Sequence, residues 1–139
     1  MHAFIAKVKR KCVEIAEKNI NIIVILLVGS YSRNEEKTDS DIDIMIISNN
    51  KLEMIENTNW VLKFGNVKSI IREEWGVVTS LRVFYDEYEI EFGIGNSSWI
   101  SQPLDKGTER TLKDGYVVIY DRNNQLEKIR RIIKERDLV

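Results

Sequence analysis

Cysteine, histidine and proline each occur once among these 139 residues. With no second thiol, Cys12 cannot close an intrachain disulfide. It falls at helical spacing among Phe4, Ile5, Val8, Ile15 and Ala16, which predicts a packed core thiol rather than a nucleophile. His2 is the single histidine and lies at the terminus, so a Ser-His-Asp or Cys-His mechanism and a zinc site all lack their parts. Long apolar runs are missing too. Ile22 to Val28 is the longest, and it falls far short of the about 20 residues that span a bilayer. The first residues are cationic and amphipathic, with no apolar stretch suited to a signal peptide, so no membrane and a cytoplasmic location are expected.

A field of one sign is also absent. Twenty-one basic residues meet 22 acidic ones for a net charge of −1, which leaves no basic track for a polymer of phosphates. Nucleic acid is therefore not an expected partner. Lys7, Lys9, Arg10 and Lys11 near one end, and Arg130, Arg131, Lys134 and Arg136 near the other, read as solvated helix faces. Apolar residues at 43% and charged residues at 31% are ordinary for a globular domain, and the length suits one domain over residues 1–139.

Periodicity orders the elements. Residues 3–19 carry a 3.6-residue period and read as a helix. Ile22 to Val28 is continuous, β-branched and short, as in a strand buried on both faces. Residues 41–48 form a second strand, with Asp41 and Asp43 on one face and Ile42, Ile44 and Ile46 on the other. Lys51 to Phe64 reads as a helix stopping near Gly65-Asn66. Val67–Glu73, Val77–Tyr85 and Tyr88–Ile94 predict an antiparallel meander turning near Gly76 and Asp86-Glu87. Pro103 opens a short helix running to Asp114-Gly115, Tyr116–Tyr120 is a brief strand, and Asn123–Glu135 is a closing helix. This order predicts an α+β domain, a mixed β-sheet flanked by helices.

The chemistry concentrates in Leu27-Val28-Gly29-Ser30, a polar spacer over residues 31–40, and Asp41-Ile42-Asp43. Carboxylates at i and i+2 on a strand repel unless a cation lies between them. Hard divalent ions such as Mg²⁺ take oxygen ligands, usually one or two carboxylates plus phosphate oxygens. Gly29 removes the side chain that would keep a phosphate from the backbone, while Ser30 adds a hydroxyl and an N–H, and Arg33 adds positive charge. Asp43 lies inside an apolar run, where an unpaired carboxylate is costly. A calcium loop fails, because Ile44 stands where glycine is required and Asn50 where glutamate is; a Walker loop fails for want of Gly-Lys-Ser/Thr.

An apolar strand, Gly29-Ser30, the spacer, then Asp41 and Asp43 in an apolar strand: this composite resembles the polymerase-beta-like nucleotidyltransferase superfamily. The resemblance implies that fold, two Mg²⁺ ions, an NTP substrate (ATP is the expected one), and a third carboxylate on a neighbouring strand. Glu91, between Ile90 and Phe92, is the preferred candidate, with Glu89 as the alternative. Alternation sets both opposite an apolar face of Tyr88, Ile90, Phe92 and Ile94, with Gly93 and Gly95 expected to leave room for a ligand. Catalytic and metal-binding roles thus fall to Asp41, Asp43 and Glu91, and nucleotide binding to Gly29, Ser30 and Arg33. Trp99 is a candidate for stacking on a base or an acceptor ring, with a core or lid role at least as good an account, and Lys106 and Arg110 are candidates for reaching phosphates, with surface placement the better account.

Two activities follow from that resemblance. One is transfer of a nucleoside monophosphate to a hydroxyl of a small-molecule acceptor, as in aminoglycoside-modifying relatives, with a homodimer completing the acceptor pocket. The other is the minimal nucleotidyltransferase antitoxin, which binds or nucleotidylates a partner toxin.

Overall fold

The computed structural model describes residues 2–29, 41–100, 110 and 112–125. Helix α1 (His2–Lys18) presents Val8, Cys12, Ile15 and Ala16 on one buried face, as their spacing requires. Strand β1 (Ile22–Val28) follows a tight turn and is buried almost throughout. Strand β2 (Ile42–Ser48) pairs antiparallel with β1. The meander is β3 (Val67–Trp75), β4 (Val78–Tyr85) and β5 (Glu89–Gly95), and β6 (Val117–Asp121) closes the far edge. The six strands lie in the order β3-β4-β5-β2-β1-β6. Among the described strands only β2 and β5 run parallel, so the sheet is mixed and the fold is α+β.

The larger core fills the helical side. There α1, a short helix α2 (Lys51–Glu56) and a 3-10 segment (Asn59–Phe64) cover Ile25, Leu27, Ile42, Ile44, Ile46, Leu81, Val83, Ile90, Phe92 and Ile94. Phe92 is fully buried, with Trp60 edge-on at 4.8 Å and Phe64 at 5.1 Å. Burying such a side chain is worth about 1.5–3 kcal/mol. A smaller cluster of Val24, Leu26, Met45, Ile47 and Leu112 covers part of the opposite face.

The helix expected over 51–64 is broken. Asn57 is extended, at φ −111° and ψ 96°, and its side chain accepts a hydrogen bond from Asn59 N at 3.3 Å. That local bond competes with the helical pattern. The break lets Trp60 Nε1 donate to Met54 O at 3.0 Å while Val61 and Phe64 reach the core. The meander turns fall as expected, Gly76 taking a left-handed φ of 61° between Trp75 and Val78. Arg122 ties the ends together, donating from Nε to Ile22 O at 2.9 Å and from Nη2 to Ala16 O at 2.8 Å. The helix expected from Pro103 lies outside the described residues except at Arg110 and 112–114, which are helical. The expected closing helix also lies outside them beyond residue 125.

Candidate functional site

Strand alternation separates grease from acid. On β2, Ile42, Ile44 and Ile46 face the helical core, which sends Asp43 to the open face. On β5, Ile90, Phe92 and Ile94 do the same, which sends Glu89 and Glu91 to that same open face. Because β2 and β5 pair in parallel register, Asp43 stands directly opposite Glu91. On its other side Asp43 is opposite Val28 of β1, one residue before Gly29.

The acids associate in pairs. Asp43 lies beside Glu91, and Glu89 beside Asp41, close enough for each pair to raise proton affinity. Burial, reinforced by the charges of Glu91 and Asp41, pushes the Asp43 pKa up to about 7. Burial and then the neighbouring Asp41 carboxyl also raise the Glu89 pKa. Glu91 Oε1 accepts from Ser80 Oγ at 2.8 Å. Arg82 of β4 supplies the counter-charge: its Nη2 lies 3.6 Å from Glu91 Oε2 and 3.9 Å from Glu73 Oε1, and its Nε lies 3.8 Å from Glu89 Oε2. That Nε is shut off from solvent and makes ion-pair contact without a hydrogen bond.

Gly29 has a left-handed φ of 74°, and the Asp43 carboxylate packs against it so closely that an added Cβ would overlap Oδ2. Glycine is thus demanded twice, by backbone and by space. Gly93 corrects an expectation. Its open side is filled by Met45 Sδ, 2.9 Å from where a Cβ would sit, and by Val78, so it serves packing rather than a ligand. Gly93 is half-buried and Gly95 is buried. Ser30, Arg33 and Lys106, and the side chain of Trp99, lie outside the described residues, while Arg110 is exposed.

Sequence reasoning missed Arg82 and Ser80. Their signal was present: in Thr79-Ser80-Leu81-Arg82-Val83 the polar pair alternates with core residues, as the acids do on β2 and β5.

Among the described residues, no three acid, imidazole or thiol side chains are already arranged around a common metal position. The donor chemistry nonetheless fits a hard divalent cation. Among the described residues four carboxylates share one patch with the Arg82 guanidinium, and burial, then the neighbouring acids, raises the proton affinity of Asp43.

An α+β domain with a mixed sheet, one face helical and the other bearing paired acids beside a glycine turn, defines the nucleotidyltransferase fold class. The comparison with known families agrees. Residues 10–82, more than half of the chain, match the family described as "Polymerase beta, Nucleotidyltransferase", and the protein belongs to that family. The matched segment includes Gly29, Asp41 and Asp43 and ends at Arg82, ahead of Glu89 and Glu91. No curated protein matches the chain.

Proposed function

We propose that this protein is a Mg²⁺-dependent nucleotidyltransferase that moves a nucleoside monophosphate from an NTP, ATP first among them, to a hydroxyl of a small-molecule acceptor. The observation that carries the reading is the register pairing of Asp43 with Glu91, beside Gly29 and on the same face as Asp41 and Glu89. Family membership supports the reaction class.

Asp41, Asp43 and Glu91 would hold the metal, with Glu89 as the alternative third acid. When bound, divalent ions neutralise phosphate charge and lower the pKa of a coordinated hydroxyl. Holding an ion requires the acids to leave their pairwise contacts, and Arg82 meanwhile keeps Glu91 and Glu89 on the open face. Gly29 makes room for the Asp43 carboxylate, and binding of the triphosphate by Gly29, Ser30 and Arg33 is assigned on sequence grounds. The acceptor hydroxyl gives its proton to a carboxylate oxygen of Glu91. Its oxygen then bonds to the α-phosphorus as the α–β anhydride bond breaks, and pyrophosphate leaves with that electron pair.

The test is a screen of labelled NTPs with Mg²⁺ against aminoglycosides, lincosamides and candidate protein partners. Label should pass to one small-molecule acceptor, and Glu91→Gln should impair transfer far more than Glu89→Gln. Transfer only to a protein would replace the acceptor class, and the reverse ranking would reassign the third acid.

A further inference from the structure

We propose that the outer edge of β3 is a docking strand for a second copy of this chain, which pairs antiparallel about a two-fold axis at Ile71. Strand β3 ends the sheet, and among the described residues none pairs with its outer edge. It is nine residues long, and most of its side chains are exposed on both faces. Ile70 is 38% exposed, Ile71 47% and Trp75 61%. A long edge with apolar groups is a template for another strand unless something blunts it.

The strand's charges choose its partner. An axis through Ile71 sets Lys68 opposite the partner's Glu74 twice over and Ile71 opposite the partner's Ile71. The stretch Lys68–Glu74 then pairs, with no like charges opposite each other, and the register of β3 on β4 shifts at Lys68, between Val67 and Ser69. Moving the axis to Ile70 puts Lys68 against the partner's Arg72, and moving it to Arg72 puts that arginine against its own copy. The same charges that repel other registers therefore specify this one. Glu74 is already held in strand geometry by Arg72 Nε at 2.9 Å and Thr79 Oγ1 at 2.7 Å, which limits the ordering its pairing requires.

The axis stands perpendicular to the sheet, so both acid faces look the same way. Glu73, 3.9 Å from Arg82, falls opposite the partner's Ser69. The interface thereby adjoins the Arg82 cluster of each copy.

The experiment is sedimentation velocity and light scattering on the purified chain across a concentration series, with circular dichroism as a folding control. The wild type should reach twice the 16.3 kDa chain mass. Lys68→Glu or Glu74→Lys alone should raise the dimer dissociation constant by about tenfold or more, since each places two like-charge pairs across the axis. The double variant carrying both changes should recover the dimer, because the charge pairs are exchanged rather than lost. Ile71→Lys should give monomer with unchanged circular dichroism. A wild type that stays monomeric to its solubility limit, a dimer indifferent to Ile71→Lys, or a double variant as weak as the singles would each overturn the proposal. So would a strand that pairs only with a different polypeptide.

Discussion

Asp43 and Glu91 face each other across the parallel β2–β5 pair, although both are acids. Two facing carboxylates repel unless a proton or a cation lies between them. On the proposed function, a divalent cation there would make the two acids a ligand pair.

Asp43→Asn or Glu91→Gln should therefore remove metal-dependent transfer and leave the fold intact. Metal stabilisation of transition-state charge is worth several kcal/mol, so the loss should be about 10²-fold or more. Single-turnover rates with labelled NTP, alongside circular dichroism, measure both halves. Either variant retaining full activity would remove that residue from the site.

The raised proton affinity of Asp43 also makes stability depend on pH. Asp43 carries a folded pKa of about 7 against an ordinary 3.8, so the native state binds this proton more tightly than the unfolded chain does. Its contribution is complete below about pH 4 and is lost as pH rises through about 7. In chelator, the urea midpoint should fall between pH 5.5 and 8, and Asp43→Asn should flatten that slope. Added Mg²⁺ at pH 8 should raise the wild-type midpoint. A wild-type midpoint that rises over this interval would contradict the assignment.

Gly29→Ala should damage the site more than its local backbone cost implies. An alanine at φ 74° costs about 1 kcal/mol. Its methyl must in addition displace the Asp43 carboxylate, which is a side-chain end and free to turn away. The expectation is a small drop in melting temperature with a much larger loss of divalent-ion affinity, read by Mn²⁺ titration. Equal Mn²⁺ affinity in both proteins would show that Asp43 keeps its place.

Arg82→Gln removes the one guanidinium that Glu91, Glu89 and Glu73 share. It should destabilise the metal-free protein, because the acids then repel without relief. It should also tighten divalent-ion binding by about tenfold, since a positive charge near the ion is gone. Calorimetric titration with Mn²⁺ checks the second effect, and weaker binding would make Arg82 a support for the ligand geometry instead of a rival cation.

Much of this was legible in the chain. Ile22–Val28 and Ile42–Ser48 are strands because β-branched runs of that length have few other uses, and alternation alone puts Asp41 and Asp43 together. Cys12 sits in the core with its thiol pKa pushed up to about 12 by burial, as its helical neighbours implied. No described helix is long and apolar enough to cross a membrane. The break at Asn57 was missed because helical periodicity continues across it, although Asn57-Thr58-Asn59 carried a local signal that packing of Trp60 against Phe92 reinforces. Gly93 misled for a similar reason: a glycine beside acids reads as space until Met45 is seen to fill it.

Which residues are acid-facing and which are core-facing was determined by sequence alone, since a two-residue period needs no knowledge of neighbours. Which strand lies beside which was decided by the tertiary structure. Asp43 and Glu91 are 48 positions apart in the chain, and nothing local says that β5 runs parallel to β2 with those two residues in register. The same holds for Arg82, whose partners come from β3 and β5. Cross-strand register is set by how whole hydrophobic faces pack, and it is through register that separate acids become a single site.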